Sequence, residues 1–108
     1  MANTFKNARL ALGTAVGTAY TCGTAATAVV ILCQVANVDG SANVDVDVYW
    51  TDVSGTTDTY LAKTVTVPAD ASLGVLSGKL VLEGGDMIKG LASEASDAEL
   101  SLSVLEIT

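Results

Sequence analysis

The sequence has no histidine, and it is poor in basic, aromatic and proline residues. Without an imidazole it lacks the usual general base at neutral pH, the commonest transition-metal ligand and every Ser-His or Cys-His nucleophile pair. An enzyme built from this chain would have to work with carboxylates alone, as glycosidases do. We therefore predict that the protein is not an enzyme and that it uses no cofactor.

Positive charge is also scarce, because five bases stand against twelve acids and give a formal net charge of −7. A surface that binds nucleic acid needs clustered positive charge to displace counterions from phosphates. The bases are scattered along the chain at Lys6, Arg9, Lys63, Lys79 and Lys89. The sequence therefore predicts no nucleic-acid partner.

Long hydrophobic runs are missing as well. The longest apolar run covers residues 26–33 and is interrupted by Thr27. A helix that crosses a bilayer needs about 20 apolar residues. We therefore predict no membrane partner.

Cysteine is limited to Cys22 and Cys33. If the two lay on consecutive strands of one hairpin, they would be about 20 Å apart at roughly 3.3 Å per residue, too far for a disulfide. We predict two buried, reduced thiols.

The chain is instead rich in small apolar residues, and half of its residues are hydrophobic. Apolar and polar residues alternate with a period of two, which is the pattern of half-buried strands, and Gly-containing turns separate the alternating segments. The predicted strands are 4–12, 16–22, 27–36, 43–51, 59–67, 79–83, 87–92 and 98–107. At 108 residues the chain is predicted to be a single domain, an all-β antiparallel β-sandwich of 7–8 strands, immunoglobulin-like or jelly-roll in type.

Three segments depart from simple alternation. Thr27 to Ala36 is apolar on both sides, so it should be a central strand that is covered by the opposite sheet and by a neighbour or partner subunit. Residues 68–78, which follow the predicted strand 59–67, are expected to form an irregular crossover, in which Asp70 or Ser72 could cap one helical turn. In the last strand, Leu105 and Ile107 are out of phase with the preceding leucines, which indicates either a bulge or a second apolar surface.

Carboxylates alternate with valines in the segment SANVDVDVYWTD. Asp45 and Asp47 share one side of the predicted strand with Tyr49, whereas the valines and Trp50 share the core side. A solvated sheet face explains the aspartates better than an acid–base pair, because nothing gives the two groups different environments. A weaker alternative is a calcium site formed by Asp39, Asp45 and Asp47, although their spacing matches no known cation-binding loop.

Five segments together resemble small virion structural proteins of tailed bacteriophages. They are an opening TFKNARLAL, a hairpin YTCGTAATAVVILCQVANVDG, a crossover AKTVTVPADASL, a hairpin KLVLEGGDMIKG and a closing LSLSVLEIT. The resemblance implies a capsid decoration or cement protein that binds the outside of the shell and stabilises it. It also implies a homo-oligomer, with a trimer favoured, whose partners are the major capsid protein or other virion proteins, located in the virion and assembled in the host bacterial cytoplasm. The alternatives are a tail or head–tail connector component, or a β-sandwich module that binds a glycan or receptor through exposed tyrosines.

Under this interpretation the segment Met1 to Leu12 is either an inter-subunit arm or an ordinary edge strand. Its candidate interface residues are Phe5, Lys6, Arg9 and Leu10.

Overall fold

The computed structural model describes residues 2–54 and 56–108, and within these ranges the chain consists of strands and connecting turns, with no helix. Among the described residues no helix is therefore long and apolar enough to span a membrane. The strands are β1 (Asn3–Leu12), β2 (Gly17–Thr21), β3 (Thr27–Asn37), β4 (Val44–Asp52), β5 (Thr57–Val67), β6 (Ser72–Gly74), β7 (Leu80–Leu82), β8 (Met87–Ala92) and β9 (Ala98–Ile107).

The strands form two antiparallel sheets. The first sheet has the order β1-β9-β3-β6, with β7 also paired to β3, and the second has the order β2-β8-β4-β5. Strand β6 pairs with one end of β3 and β7 with the other, so the two act as one interrupted strand. The first strand then pairs with the last, the second with the second-last, and so on to the central β4–β5 pair. This pairing of a long folded hairpin is the jelly roll, and it decides between the two sandwich types.

The fold class predicted from the sequence is confirmed, but the described chain has nine strands where 7–8 were expected. The extra strand is β6, which lies in the segment expected to be irregular with a helical turn. Pro68 begins a β-turn there, closed by a hydrogen bond from the Ala71 amide to the Pro68 carbonyl, with Asp70 at a φ of 60°. The segment then runs beside residues 34–36 of β3, whose backbone groups it pairs. The backbone groups of residues 34–36, which would otherwise lack hydrogen-bond partners on this side, are thus paired by the segment that passes next to them.

The two hairpins expected around Gly23 and Gly84 are not hairpins. β2 and β3 belong to different sheets, and so do β7 and β8. The turns at residues 37–41 and 93–97 also carry the chain from one sheet to the other. The Gly-containing turn expected after β4, in contrast, joins directly paired strands, and its Gly55 lies outside the described residues.

The core lies between the sheets and is filled by the inward positions of each strand. Val44, Val46 and Val48 from the second sheet oppose Leu100 and Leu102 from the first, and all five are buried. Each fully buried Val or Leu contributes about 1.5–3 kcal/mol relative to an exposed side chain. The sandwich therefore has a complete core of its own within one chain.

Two aromatic residues differ from the sequence expectation. Trp50 packs against the core but is only half-buried, whereas Tyr49, expected on the wet side, is 6% exposed. Tyr49 pairs with Tyr60 on β5 and Lys89 on β8. The Tyr49 and Tyr60 rings lie 5.0 Å apart between centroids, so Tyr49 is covered by its own neighbours.

Candidate interaction surface

The carboxylates on β4 hold the neighbouring edge strand. The Thr66 hydroxyl donates to Asp45 Oδ1 at 2.6 Å, and the Thr64 amide donates to Asp47 Oδ1 at 2.6 Å. Val46 pairs with Val65 and Val48 with Ala62, so two β5 residues lie opposite Asp47 alone. This is a β-bulge, in which one amide loses its ladder partner. Asp47 accepts that amide, and the carboxylates thus have a structural role in the sheet.

The calcium candidates Asp39, Asp45 and Asp47 are not brought together within the described residues. Asp39 Oδ1 accepts the Ser41 amide at 2.9 Å and the Ser41 hydroxyl at 3.0 Å, which stabilises its own turn. These hydrogen bonds from Ser41 lower the pKa of Asp39 below its ordinary value. The carboxylate is therefore used locally and does not face the β4 aspartates as one ligand set.

A different set of three carboxylates does lie close together. Ligand oxygens of Asp52, Glu83 and Asp86 lie within 4.8 Å of one another. Asp86 is buried, and its two carboxylate oxygens accept the backbone amides of Val53 at 3.1 Å and Glu83 at 2.9 Å. Asp86 thus ties the 83–86 loop to the end of β4, and its acceptor oxygens already have partners.

Tyr20, Glu106 and Lys6 form a polar cluster that joins the two sheets. The Tyr20 hydroxyl on β2 donates to Glu106 on β9, and Lys6 Nζ on β1 lies 2.9 Å from the other Glu106 oxygen. The hydrogen bond from Tyr20, followed by that from Lys6, lowers the pKa of Glu106. Burial, followed by the hydrogen bond to Glu106, raises the pKa of Tyr20, so its hydroxyl stays a donor at neutral pH.

The outer side of the first sheet carries an apolar row that crosses four strands. Phe5 pairs with Leu105, Leu105 pairs with Val29, and Val29 pairs with Val81. Directly paired residues point to the same side of a sheet. Phe5 is 74% exposed and Val81 is 55% exposed. The row is therefore a hydrophobic surface on a chain whose core is already complete.

A bulge in β3 enlarges this surface. The β3–β9 register shifts between Val30 and Leu32, and both Ile31 and Leu32 are exposed as a result. We call the resulting surface the apolar face, and it consists of Phe5, Val29, Ile31, Leu32, Val81 and Leu105. Leu105 lies on this outer surface with Ile107 in phase beyond it, so the second apolar surface expected at the end of the last strand is present, and the bulge is in β3 instead of β9.

The apolar face is not flat. A depression of about 330 Å³, open to solvent, lies beside Phe5. Its lining residues are Phe5, Lys6, Asn7, Ile31, Ser103 and Val104. Because Phe5 projects next to this depression, the same surface contains a projection and a hollow.

The apolar face is almost free of charge. Farther along the same side of the sheet, the described strand positions carry two charged residues, Arg9, which pairs with Ser101, and Glu99, which pairs with Ala11. By contrast, the second sheet has Asp45, Asp47 and Asp58 along β4 and its partner β5. Lys89 on β8 and Lys63 on β5 lie on the same side of the second sheet as these aspartates. The two outer sides of the sandwich therefore differ, since that of the first sheet is largely apolar and that of the second carries charges of both signs.

The four interface candidates from the sequence are divided between two sides of β1. Phe5 and Arg9 are exposed on the outer side, with the apolar face, whereas Leu10 is half-buried against the core and Lys6 binds Glu106. Of the segment Met1 to Leu12, Met1 lies outside the described residues, and residues 3–12 form strand β1 at the end of the first sheet.

Sequence reasoning did not name Val81, Ile31 and Leu32 as members of this surface. The signal for the two β3 residues was present, because Thr27 to Ala36 is apolar on both sides and was expected to need a covering neighbour. Val81 carried no such signal, since it is a single apolar residue in the three-residue strand β7.

The tyrosines do not form the exposed platform that a glycan-binding module would use. Tyr49 is buried and Tyr20 is engaged with Glu106, which leaves Tyr60 as the exposed ring of the three.

Both cysteines are free and buried, and burial raises the pKa of Cys33 to about 12.

No protein-family model matches the chain, and no curated protein matches its sequence. Among solved structures, a protein from the acid-stable capsid of the Helicobacter pylori bacteriophage KHP30 matches with a TM-score of 0.59 and 13% identity, over 100% of this chain and 89% of that one. A subunit of Bacillus endospore appendages, described as disulfide-linked pili, matches with a TM-score of 0.53 and 12% identity, over 96% and 85% of the two chains. The core of the Drosophila protein NLP, described in terms of pentamer formation and histone binding, matches with a TM-score of 0.50 and 9% identity, over 97% and 99%. At such identities the likeness shows the fold.

Proposed function

We propose that the protein is a repeated structural subunit of a bacteriophage virion and, more specifically, a decoration or cement protein that binds the outside of the capsid and stabilises it. The observation that carries the proposal is the apolar face, headed by Phe5 at 74% exposure. A sandwich with its own complete core gains nothing from exposing such a row, and contiguous exposed apolar surface marks interaction sites.

Three further observations support a structural role. The fold is similar to that of a bacteriophage KHP30 capsid protein, and the five sequence segments resemble virion structural proteins. The chain has no histidine, and the carboxylates that could have formed a site are engaged in hydrogen bonds that hold turns and strands. An acidic protein is also repelled by packaged DNA, which suits an exterior position.

In this proposal the protein is not an enzyme, has no cofactor, and acts mechanically. Many copies each bury a modest area against the major capsid protein or against neighbouring virion subunits, and the summed contacts resist expansion of the shell. Assembly takes place in the host bacterial cytoplasm, and the functional location is the virion. The trimer implied by the resemblance stays a prediction.

The test is to mix the purified protein with capsids that lack it. We expect saturable uptake at symmetry-related positions, visible in a particle reconstruction, together with a higher melting temperature of the shell. Binding to tails or connectors alone would replace decoration by the tail or connector role. Absence of binding to any virion part would contradict the proposal.

A further inference from the structure

We propose that the free edge of strand β1 accepts an extended, acidic segment of a partner protein, which joins the first sheet as a further strand. Such strand addition rests on the proposed function for its setting, and it specifies how the subunit attaches to its partner. The contact is made by backbone hydrogen bonds, so it differs in kind from packing on the apolar face.

The backbone of β1 uses one of its two edges. The Ala2 amide donates to the Thr108 carbonyl at 3.0 Å, and the Thr108 amide donates to the Ala2 carbonyl at 2.9 Å. The β1–β9 register continues from this pair without a shift to Leu12 and Ala98. In an antiparallel ladder such mutually bonded pairs alternate with pairs whose amides and carbonyls point away from the partner strand. The even-numbered residues of β1 therefore bond to β9, and the odd-numbered residues face the other edge.

The outward backbone groups of β1 are unpaired and accessible. Among the described strands, β1 pairs with β9 alone. The odd-numbered residues are all exposed, and on that edge they have no backbone hydrogen bond to another described residue; they are Asn3, Phe5, Asn7, Arg9 and Ala11. At about 3.4 Å per residue they extend over roughly 27 Å. An edge of this length is a template for a further strand of about nine residues.

The other edges of the described sheets are protected from such pairing. In the first sheet, β6 and β7 have three residues each. In the second sheet, β2 has five residues and a register shift between Thr18 and Tyr20, and β5 is bulged opposite Asp47. Short strands and bulges keep other chains from adding to an edge. Strand β1, described over its whole length, has ten residues with no bulge and no proline, so its edge is open.

Charge favours an acidic segment as the occupant. Residues 1–38 contain Lys6 and Arg9 and no acid, so they carry +2, whereas residues 39–108 carry −9 from twelve acids and three lysines. Lys6 is paired with Glu106. Arg9 is exposed and forms no ion pair with another described residue. An acidic side chain beside Arg9 is attracted to it, whereas a basic one is repelled.

The chain itself offers no acidic strand for this edge among its described residues. The acidic strands β4 and β9 are each paired on both sides. Of the edge strands, β5 carries Asp58 and Lys63, whose charges cancel, and β2, β6 and β7 carry no charge. The segment that fits the β1 edge therefore belongs to a different protein.

The side chains of β1 define the pattern of the added segment. Phe5 and Arg9 lie on the same outer side of the sheet, four positions apart in the strand. Residues directly opposite each other on paired strands share one side. The segment thus needs an apolar residue opposite Phe5 and an acidic residue opposite Arg9, also four positions apart. The apolar residue would lie beside the depression of about 330 Å³ that Phe5 helps to line.

The test is amide hydrogen exchange of the full chain, measured by NMR with and without millimolar peptide Thr-Ser-Glu-Thr-Thr-Thr-Val-Ser-Thr. The Glu and Val of this peptide have the required spacing. We expect slower exchange at the amides of Phe5, Asn7 and Arg9, because each gains a hydrogen bond, and little change at Lys6 and Ala8, which already bond to β9. The same peptide with Lys in place of Glu should bind at least about threefold more weakly, since attraction to Arg9 becomes repulsion.

Two substitutions at one position separate the backbone from the side chain. Asn7→Pro removes an outward amide at the middle of the edge and should weaken peptide binding by about tenfold or more. The fold should tolerate it, because proline is accepted on an edge strand where its nitrogen faces solvent. Asn7→Ala keeps the amide and should lose much less affinity. Cooperative thermal unfolding of each variant verifies that it is folded.

Two charge reversals test the choice of an acidic partner. Arg9→Glu should reverse the preference between the Glu and Lys peptides. Lys79→Glu is the matched control, because it changes the net charge equally but lies at an exposed position in the loop before β7. It should leave the preference unchanged. Equal binding of both peptides to the wild type would show that the segment is not selected for acidic residues.

Strand addition would be overturned if the peptide does not bind, or if it binds while the outward amides of β1 exchange as before. Uptake by capsids that lack the protein distinguishes this result from the proposed function. If capsids take up the wild type and Asn7→Pro equally, the structural role stands and attachment does not use the β1 edge. If capsids take up neither while the peptide protects the edge, the virion role fails and strand addition stands.

Discussion

At the residue scale, Thr64 shows how a strained residue and a carboxylate can fix one point of a sheet edge. Its φ is 50°, in the left-handed region that a β-branched residue rarely adopts. The strain is accepted because Lys63 and Thr64 together oppose Asp47, whose carboxylate accepts the Thr64 amide. A bulge of this kind twists an edge strand and discourages another chain from pairing with it. The β5 edge of the second sheet is thereby protected from pairing with another chain.

Replacing Thr64 by glycine should stabilise the protein by about 0.5–1 kcal/mol, because the left-handed conformation costs an L-residue about 1–2 kcal/mol and the added chain entropy of glycine offsets part of that relief. The lost contact between the Thr64 hydroxyl and Asp47 is long, at 3.4 Å. The measurement is the midpoint of urea unfolding.

The control is Thr59→Gly on the same strand, paired with Trp50 and without a positive φ. It should destabilise the protein by about 0.5–1 kcal/mol, since glycine weakens a strand interior. Equal destabilisation by both substitutions would show that the backbone at Thr64 is not strained.

At the scale of structural elements, the jelly roll depends on turns that pass the chain between sheets and meet one another. The turn after β2 and the turn after β7 are joined by hydrogen bonds from the Cys22 amide to the Asp86 carbonyl at 2.8 Å and from the Gly85 amide to the Cys22 carbonyl at 2.9 Å. Gly84 lies against the first of these turns, since a Cβ built on it would be 2.4 Å from the Thr24 carbonyl oxygen. The Cys22 thiol also donates to the carbonyl of Leu82, 60 positions further along the chain, at 3.8 Å. Together these contacts join two turns that are distant in the sequence.

Gly84→Ala should therefore destabilise the protein by about 1–3 kcal/mol, because the added methyl group meets backbone that cannot move aside as a flexible side chain would. The measurement is the free energy of unfolding in urea. Gly78→Ala is the matched control, since a Cβ there meets nothing within 4 Å. It should be neutral or slightly stabilising, and a similar loss in both variants would contradict the packing of the two turns.

At the scale of the whole molecule, the two sheets are joined by polar groups at one end as well as by the apolar core. Glu106 points inward from β9 and receives hydrogen bonds from Tyr20 on the opposite sheet and from Lys6 on β1. Its pKa in the folded protein is lower than the ordinary value. The ionised form is thus favoured by folding, so its stabilising contribution is present above the ordinary pKa and is lost as pH falls through the folded-state pKa.

Glu106→Gln should lower the melting temperature at neutral pH, and the difference from the wild type should shrink as the pH is taken below the ordinary glutamate pKa of 4.5. The measurement is the melting temperature across a pH series. Glu99→Gln, on the exposed side of the same strand, should show a small difference that does not follow this pH trend. A difference for Glu106→Gln that persisted unchanged into strong acid would show that the ionised carboxylate is not what joins the sheets.

The strands and the core positions could be predicted because they follow from the local alternation of apolar and polar residues. The alternation of valines with polar residues in β4 placed Val44, Val46 and Val48 correctly in the core. Strand limits were close for the same reason, since turn residues interrupt the alternation. The candidate surface was only partly predictable. The two-sided apolar character of β3 indicated that a covering neighbour was needed, and Phe5 and Arg9 were named. Of the other two candidates, Leu10 packs against the core, and Lys6 is paired with Glu106 although it also lines the depression beside Phe5.

The sequence by itself determined the all-β class, since a period of two can bury only one face of a strand and cannot form an apolar stripe on a helix. The tertiary structure alone decided which sheet each strand joins, because a turn such as EGGD satisfies its backbone equally well within a hairpin and between sheets. It also decided where the bulges fall, and a bulge reverses the side on which later residues lie. Ile31 and Leu32 are exposed together, and four distant strands combine into one apolar face, because of pairings that connect opposite ends of the chain.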